Sequence, residues 1–364
     1  MSTPAPLRVA LTGTGYAGTT LHAPLIDATP GLQLCAVLSR QDAAEVARRL
    51  GPLRAPLTVH ADLDSLLREQ RPDLVVIVSP NDQHVRQASA ALRAGAHVVI
   101  DKPLALSAAE AAPLTALARA QDRRVSVFHN RRWDGDFLTA RALLRQRRLG
   151  RVRWGQLTFD RFRPQVRARW REGDGPGAGL WFDLGPHLLD QAVQLFGWPQ
   201  RLRCERMRLR HGARADDAFE CTLAWADGRH MQLSASMLAA QPRPRFALHG
   251  DHGSWIKHGL DPQEDRLKAG GRPDRLTAGQ RWGADPQAGT LCLADAAGQP
   301  AAPRAWPTQD GRWPDYWLAL TAALRGHGPL PVPLDEALGV QRLLDLGTAS
   351  AAQDARWLPC TAPA

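Results

Sequence analysis

Cysteine and long apolar runs are scarce in this sequence. The five cysteines are scattered, odd in number and never spaced as C-x-x-C. This pattern argues against a disulfide framework and against a cysteine zinc site, and it favours a reducing, cytoplasmic setting. No apolar run approaches the length of about 18 residues that a membrane span needs. The first residues, 1–6, carry no basic region, so we expect neither a signal peptide nor a membrane partner.

Lysine is also rare, because Lys102, Lys257 and Lys268 are the only lysines among 46 basic residues. The formal net charge of +10 raises the possibility of nucleic-acid binding. However, the arginines are spread along the chain among 36 acidic residues. An exposed sheet face, or a site for anionic or polyhydroxylated ligands, explains this distribution as well, and we do not expect a nucleic-acid partner.

The length of 364 residues and a hydrophobic content of 44% predict two domains with ample cores. We place the boundary between residues 1–128 and 129–364. Short apolar segments alternate with helical patterns throughout the first part, which predicts a doubly wound parallel sheet of the Rossmann type. The predicted strands are Leu7–Leu11, Leu32–Leu38, Leu57–His60, Leu74–Val78, Ala96–Ile100 and Arg124–Phe128.

A glycine motif, G-x-G-x-x-G, follows the first predicted strand at Gly13, Gly15 and Gly18, with a helical pattern after it. In this order the first glycine permits a tight turn, the second admits a pyrophosphate, and the third lets helix and strand pack. The phosphates then lie at a helix N-terminus. The motif predicts a dinucleotide-binding loop.

The second predicted strand ends in Ser39 and Arg40. An NAD site usually has an acid near this point, whereas an arginine suits the 2′-phosphate of NADP. Asp42 lies close by and keeps NAD open as an alternative. We favour NADP, with NAD as the second choice.

The run Val98–Ile100 stops at Asp101, Lys102 and Pro103, as a buried parallel strand does at its carboxyl end. Ligands of open α/β sheets bind in the crevice beyond these strand ends. The segment Ser79–His84 follows the preceding strand and is expected at the same edge. Lysine in such a place can hold a reacting oxygen or transfer a proton, although a solvated lysine at a strand end is the simpler interpretation. The sequence leaves the isomer of the peptide bond before Pro103 open.

The second half contains a helix, predicted from about Leu180 to Phe196, on which Asp183 and His187 share one face at i and i+4. Such a pair can bind a hydroxyl and an oxygen derived from a carbonyl, with the carboxylate tuning the imidazole. A helix-terminal acid beside a core histidine is an alternative. Metal binding by Asp183, His187 and Asp190 is a further one, without a convincing third ligand.

Several antiparallel strands are predicted between residues 202 and 249, with a hairpin turn at 226–229, so the second domain is expected to be α+β with a large open, mainly antiparallel sheet. Residues 261–310 are rich in Gly, Pro, Asp and Gln, which predicts a long ordered loop with short helices. Two helices follow, from Trp313 and from Leu334. The last, over about 334–353, is open to packing back toward the first domain. Tyr316 is expected to be a core or interface aromatic residue.

Four motifs in this order resemble the glucose-fructose oxidoreductase / inositol dehydrogenase / MocA (Gfo/Idh/MocA) family over essentially the whole chain. They are the loop at Gly13–Gly18, D-K-P at Asp101–Pro103, N-R-R-W-D at Asn130–Asp134 and G-L-W-F-D-L-G-P-H at Gly179–His187. The glycine loop with Thr19–Leu25, and the last motif, most resemble the branch containing NADP-dependent scyllo-inositol dehydrogenases. The chain departs from the family at Asp101, where a glutamate is usual.

The resemblance implies hydride transfer between a sugar, polyol or cyclitol carbon and nicotinamide. It implies that Lys102 holds the reacting oxygen, that His187 is the general acid or base, and that Asp183 orients the substrate and tunes His187. The implied cofactor contacts are Gly13, Gly15, Tyr16, Ala17, Gly18, Ser39, Arg40, Ser79, Pro80, Asn81, His84, Asp101, Lys102, Asn130 and Arg131. The implied substrate contacts are Lys102, Trp133, Asp134, Arg169, Trp170, Asp183, His187 and Lys257. A homodimer or homotetramer is implied as well.

Two other functions stay open at this point. One is a glycoside-processing enzyme of the same fold, in which tightly held NAD oxidises the sugar transiently. The other is a non-enzymatic regulator that binds a dinucleotide through the first domain. The presence of both Lys102 and His187 favours the dehydrogenase over the regulator.

Overall fold

The computed structural model of the chain describes residues 4–362, and these form two compact units. The first unit comprises the chain up to Asn130 together with Pro262–Trp282 and Arg312–Leu338. The second unit comprises Arg131–Asp261, Gly283–Gly311 and the chain from Gly339 onward. Each unit has its own sheet. In the described part of the chain, no helix is long and apolar enough to cross a membrane.

The first unit contains a six-stranded parallel sheet with the strand order β3-β2-β1-β4-β5-β6. This is the order of a dinucleotide-binding Rossmann fold, so the predicted fold class is confirmed for this unit. The four residues of β4 are wholly buried and apolar, as a central strand covered on both faces requires. The strands are β1 Leu7–Thr12, β2 Leu32–Leu38, β3 Thr58–His60, β4 Leu74–Ile77, β5 His97–Ile100 and β6 Val125–Val127.

Helices connect these strands, and three of them begin at a side chain that caps the first turn. Asp42, Asp62 and Ser107 each accept a hydrogen bond from the backbone N–H three residues on. The glycine loop leads first into a π-helical turn, Ala17–His22, which continues into α1. The helices are α1 Ala23–Ala28, α2 Ala43–Leu50, α3 Leu63–Gln70, α4 His84–Arg93, α5 Ala108–Ala111 and α6 Pro113–Ala120.

The second unit is built on a nine-stranded sheet with the order β14-β13-β12-β11-β7-β10-β9-β8-β15. Within residues 4–362, only β7 and β10 of this sheet pair in parallel, so the predicted large, mainly antiparallel sheet is confirmed. The strands are β7 Val152–Thr158, β8 Arg201–Met207, β9 Ala218–Ala224, β10 His230–Ser236, β11 Phe246–Gly250, β12 Gly253–Lys257, β13 Gly289–Leu293, β14 Arg304–Trp306 and β15 Leu358–Pro359.

Helix α8, Leu180–Phe196, provides much of the core of the second unit, and α7, Gly135–Arg145, contributes Phe137. Trp181 on α8 is fully buried and donates a hydrogen bond from Nε1 to the Leu344 carbonyl, 3.1 Å away. Its ring meets Phe219 of β9 edge to face at 4.9 Å. The predicted bounds of α8 therefore coincide with the observed ones, because its apolar residues all face one core.

The prediction for residues 261–310 is only half right. A short helix, α9 Gln263–Lys268, is present, but the segment also supplies β13 and β14 at one edge of the second sheet. Their backbone groups pair with β12 and with each other, and this pairing rather than a hydrophobic pattern fixes them. Two further helices precede β15, and they are α10 Trp313–Leu324 and α11 Leu334–Ala351. Tyr316 on α10 is fully buried, which confirms it as a core residue.

Candidate active site

The glycine loop between β1 and α1 has the geometry that a dinucleotide requires. Gly13 has φ +141°, in the region that favours glycine, and a Cβ on Gly18 would overlap the carbonyl oxygen of Gly13. A Cβ on Gly15 would meet no atom within 4 Å. The loop is thus tight at Gly13 and Gly18 and open in front of Gly15, where a pyrophosphate can approach the backbone. The residues present fit the cofactor that the motif predicts.

The carboxyl end of β2 presents a cation and no available acid. Arg40 is exposed, while the Ser39 hydroxyl lies 3.0 Å from that of Thr14 and accepts a hydrogen bond from the Gln41 N–H. Asp42 accepts a 2.8 Å hydrogen bond from the Glu45 N–H and caps α2. The acid that kept an NAD site open is therefore engaged in starting a helix. Thr14, which no motif position singled out, lies beside Ser39.

The ends of β4 and β5 are joined by a buried histidine. His84 Nδ1 lies 2.9 Å from the Pro103 carbonyl oxygen, and its Nε2 lies 3.0 Å from that of Ser79. The ring is 1% exposed. Both ring nitrogens thus meet the backbone of the two segments predicted to share an edge, and the structure brings these segments together as expected. The His84 ring therefore links the two segments by hydrogen bonds, and the ring is not directed at a ligand.

Three histidines whose pKa is lowered in the folded chain predict a loss of stability in mild acid. Burial lowers the pKa of His84, of His97 (with help from Arg123 and Arg124) and of His249. Below about pH 6.5 the unfolded chain therefore binds protons that the folded chain does not, and the free energy of unfolding falls as the pH drops. Each such group contributes at most about 1.4 kcal/mol per pH unit.

Denaturant titrations between pH 7.5 and pH 5 should show this decline. The His84→Gln variant should show a shallower decline than the parent protein. The exposed His211 offers a matched control, because its replacement by glutamine should leave the decline as it is. A parent protein that is equally stable at both pH values would contradict the prediction.

In the second unit, Gly179 is the N-cap residue of α8, and its φ is +98°. The Asp216 carboxylate accepts a 2.7 Å hydrogen bond from the Trp181 N–H and fixes this start. Asp183 and His187 follow on the first two turns, with His187 buried. The Asp183 carboxylate lies 2.9 Å from Nη1 of Arg171 and 3.6 Å from Nη1 of Arg161. These two arginines fix the position of the Asp183 carboxylate.

Sequence reasoning missed Arg161 and Arg171 as partners of Asp183, since nothing distinguishes them among so many arginines. It named their neighbours Arg169 and Trp170, which the structure leaves exposed. Arg169 pairs with Glu172 at 3.0 Å, and the Arg171 guanidinium lies 5.2 Å from the centre of the Trp170 ring. The exposed tryptophan face is therefore next to the arginine that anchors Asp183.

The alternative of a metal site on α8 receives no support from Asp190. Its carboxylate accepts hydrogen bonds of 2.6 and 2.9 Å from Arg132, and both side chains are buried. Within residues 4–362, no group of three or more His, Cys, Asp or Glu is placed to hold a metal ion.

Arg131 and Asp134 lie in a buried cluster of charges. Their side chains are 3.3 Å apart, and Asp136, Asp261 and Arg245 surround them. Burial raises the pKa of Asp134 well above its ordinary value, and Asp261 and Asp136 add to the effect. The Asp134 carboxyl is thus kept inside the second unit, 1% exposed, where it pairs with Arg131. Trp133, between the two, is half-buried.

Lys257 is fully buried at the end of β12. Its Nζ lies 3.0 Å from Asp285 Oδ2 and donates to the His258 carbonyl. A substrate contact would require this ammonium to leave its partner, so the structure does not bring Lys257 to a ligand. It is placed to stabilise the second unit.

The ion pair between Lys257 and Asp285 predicts that replacing Lys257 lowers the stability of the protein without affecting catalysis. We expect Lys257→Met to lower the free energy of unfolding by about 3–5 kcal/mol, because it leaves the Asp285 carboxylate buried without its cation. Lys268→Met, at an exposed lysine, should change it by less than about 0.5 kcal/mol. Thermal unfolding measures both, and KM measured well below the unfolding temperature should be unchanged. A raised KM in stable Lys257→Met protein would restore the substrate contact.

Comparison with known proteins agrees with the presence of a Rossmann unit followed by a second unit. Residues 7–129 match the model of an oxidoreductase family with an NAD-binding Rossmann fold, and residues 137–256 match the Gfo/Idh/MocA C-terminal domain. The oxidoreductase YdgJ of Escherichia coli (strain K12) is 45% identical over 95% of this chain and 96% of its own. The chain belongs to the Gfo/Idh/MocA family. The expected family is thereby confirmed.

Two further relatives extend the comparison. The scyllo-inositol 2-dehydrogenase (NADP(+)) IolW of Bacillus subtilis (strain 168) is 32% identical over 94% of this chain and 93% of its own. The structure of YPO2259 from Yersinia pestis superposes with a TM-score of 0.90 at 42% identity and covers 98% of both chains. The protein is therefore an oxidoreductase of this family that binds a nicotinamide dinucleotide and acts on CH–OH groups of a small molecule.

Proposed function

We propose that this family member is an NADP-dependent dehydrogenase or reductase of an inositol, another polyol or a sugar. The observation that carries the choice of cofactor is the end of β2. There Arg40 is exposed beside Ser39, and Asp42 is engaged as a helix cap. A cation at this position pairs with a 2′-phosphate, whereas a ribose without phosphate needs an acid. The name of the relative IolW supports both the cofactor and the substrate class.

The glycine loop would hold the pyrophosphate, and the nicotinamide supplies or accepts the hydride when the cofactor is bound. In this proposal the Lys102 ammonium holds the oxygen of the reacting carbon and stabilises negative charge as it develops there. His187 takes the hydroxyl proton during oxidation and returns it during reduction. Asp183, held by Arg171 and Arg161, orients a neighbouring hydroxyl.

A fluorescence titration of the purified protein with NADPH and NADH tests the choice of cofactor. We expect tighter binding of NADPH, followed by turnover in a screen of inositols, polyols and aldoses with NADP. A preference for NADH would contradict the NADP assignment. Nucleotide that stays bound through purification would favour a glycoside-processing enzyme, and binding without turnover on any of these substrates would favour a regulator.

We also propose a reducing, cytoplasmic setting and a homo-oligomeric state. The cysteines support the first, because all five are free and four of them are buried. The second rests on the resemblance to the family, and analytical ultracentrifugation of the purified chain tests it.

A further inference from the structure

The π-helical turn after the glycine loop places the side chain of His22 against Asp101, the residue before Lys102. The turn, Ala17–His22, closes with a hydrogen bond from the Ala23 N–H to the Gly18 carbonyl, five residues back. A residue advances an α-helix by about 100°, so the extra residue rotates the rest of the helix by that amount relative to the glycine loop. Such turns are frequent at functional sites. His22 ends the turn, and its side chain is fully buried.

His22 Nε2 lies 3.2 Å from Asp101 Oδ1. The His22 ring also packs against two aromatic side chains. Its centre lies 4.4 Å from that of Phe128 and 5.8 Å from that of Trp317. Within the described chain, His22 Nδ1 has no hydrogen-bond partner. Because a buried N–H without an acceptor is costly, the favoured tautomer carries its proton on Nε2 and donates it to Asp101.

Asp101 is thereby held at two points. Its backbone N–H donates to the Ile77 carbonyl at 2.8 Å, and its carboxylate accepts from His22. Two residues after Asp101, the Pro103 carbonyl oxygen lies 2.9 Å from His84 Nδ1. The residue between these two anchors is Lys102. Its side chain therefore extends from a backbone that two buried histidines fix from different elements.

We propose that His22 is a positioning residue for Lys102, acting through the Asp101 carboxylate. The inference rests on the proposed function, in which Lys102 holds the reacting oxygen.

Two replacements separate the hydrogen bond from the packing of the ring. His22→Phe keeps an aromatic ring against Phe128 but has no donor, whereas His22→Gln keeps an N–H donor and loses the ring. We expect kcat of His22→Phe to fall about ten- to a hundredfold, since small displacements of a catalytic group cost this much. NADPH affinity should stay close to that of the parent, whereas the unfolding temperature should fall, because the buried Asp101 carboxylate loses a donor. His22→Gln should recover most of kcat.

A second measurement does not depend on turnover. The chain has three lysines, of which Lys257 is fully buried and Lys268 is exposed. Acetic anhydride labelling, followed by mass spectrometry, gives the acetylation rate of Lys102 relative to Lys268 in one tube. This ratio should differ severalfold between His22→Phe and the parent, and His22→Gln should restore it.

The outcomes distinguish this inference from the function on which it rests. A parent protein with no turnover on any inositol, polyol or aldose would remove the proposed function, and the labelling ratio would still decide the role of His22. Parent-like kcat and labelling in His22→Phe would overturn the positioning role while leaving the dehydrogenase intact. Equal losses in His22→Phe and His22→Gln would also overturn it, because they would assign the effect to the ring and not to the donated hydrogen bond.

Discussion

Replacing Lys102 by alanine is expected to lower kcat by about two to three orders of magnitude, the usual cost of removing a donor that stabilises a developing negative charge. The methyl group of alanine can neither hold an oxygen nor stabilise its charge. The affinity for NADPH, measured by nicotinamide fluorescence, should change little, since the glycine loop and the end of β2 hold the cofactor. The loss should therefore appear in kcat rather than in cofactor binding.

Two controls sharpen this experiment. Lys268→Ala removes an exposed lysine of the same unit and should leave turnover unaltered. Lys102→Arg keeps the positive charge but replaces a compact ammonium by a broad, planar group with a very high pKa. It should recover little activity, because the planar guanidinium cannot place its charge where the compact ammonium holds the reacting oxygen. Unaltered turnover in Lys102→Ala would remove this residue from the mechanism.

Replacing Arg40 by alanine should weaken NADPH binding by about ten- to a hundredfold, the value of one or more hydrogen bonds to a charged group. NADH has no 2′-phosphate, so its affinity should change by less than about twofold. The measurement is a pair of fluorescence titrations for each protein. The variant should thus lose most of its discrimination between the two cofactors.

Arg48→Ala is the matched control, because Arg48 is an exposed arginine of α2 that pairs with Glu45 at 2.7 Å. If general positive charge attracted the phosphate, both variants would lose NADPH affinity to a similar extent. Equal losses of NADPH and NADH affinity in Arg40→Ala would overturn the NADP assignment itself.

The parts of the fold that could be predicted from the sequence are those in which a local pattern and a tertiary contact agree. The apolar run at Val98–Ile100 is a buried strand, and the apolar residues of α8 pack into the core of the second unit. Strands β13 and β14 could not be predicted, because they are short and lie at a sheet edge, where the partner strand decides their structure.

The candidate site shows the same division. The glycines and Lys102 follow from motifs with a fixed spacing, whereas the contact of His22 joins residues 79 positions apart. No local sequence pattern predicts the π-helical turn that brings His22 to Asp101. The resemblance to the family implies Asp134 and Lys257 as substrate contacts. Their burial among opposite charges depends on residues such as Arg245 and Asp285, which are distant in sequence.

The first unit is assembled from three separate stretches of chain, so it cannot be completed until the last of them has been synthesised. Tyr316 meets Phe128 at 4.9 Å and lies within hydrogen-bond distance of Ser126, and Pro333 bridges to the same serine. The ribosome therefore completes all six strands of the first sheet long before the aromatic residues that cover its last strand. During translation the nascent sheet keeps an uncovered apolar edge, and it depends on the last third of the polypeptide to become a finished folding unit.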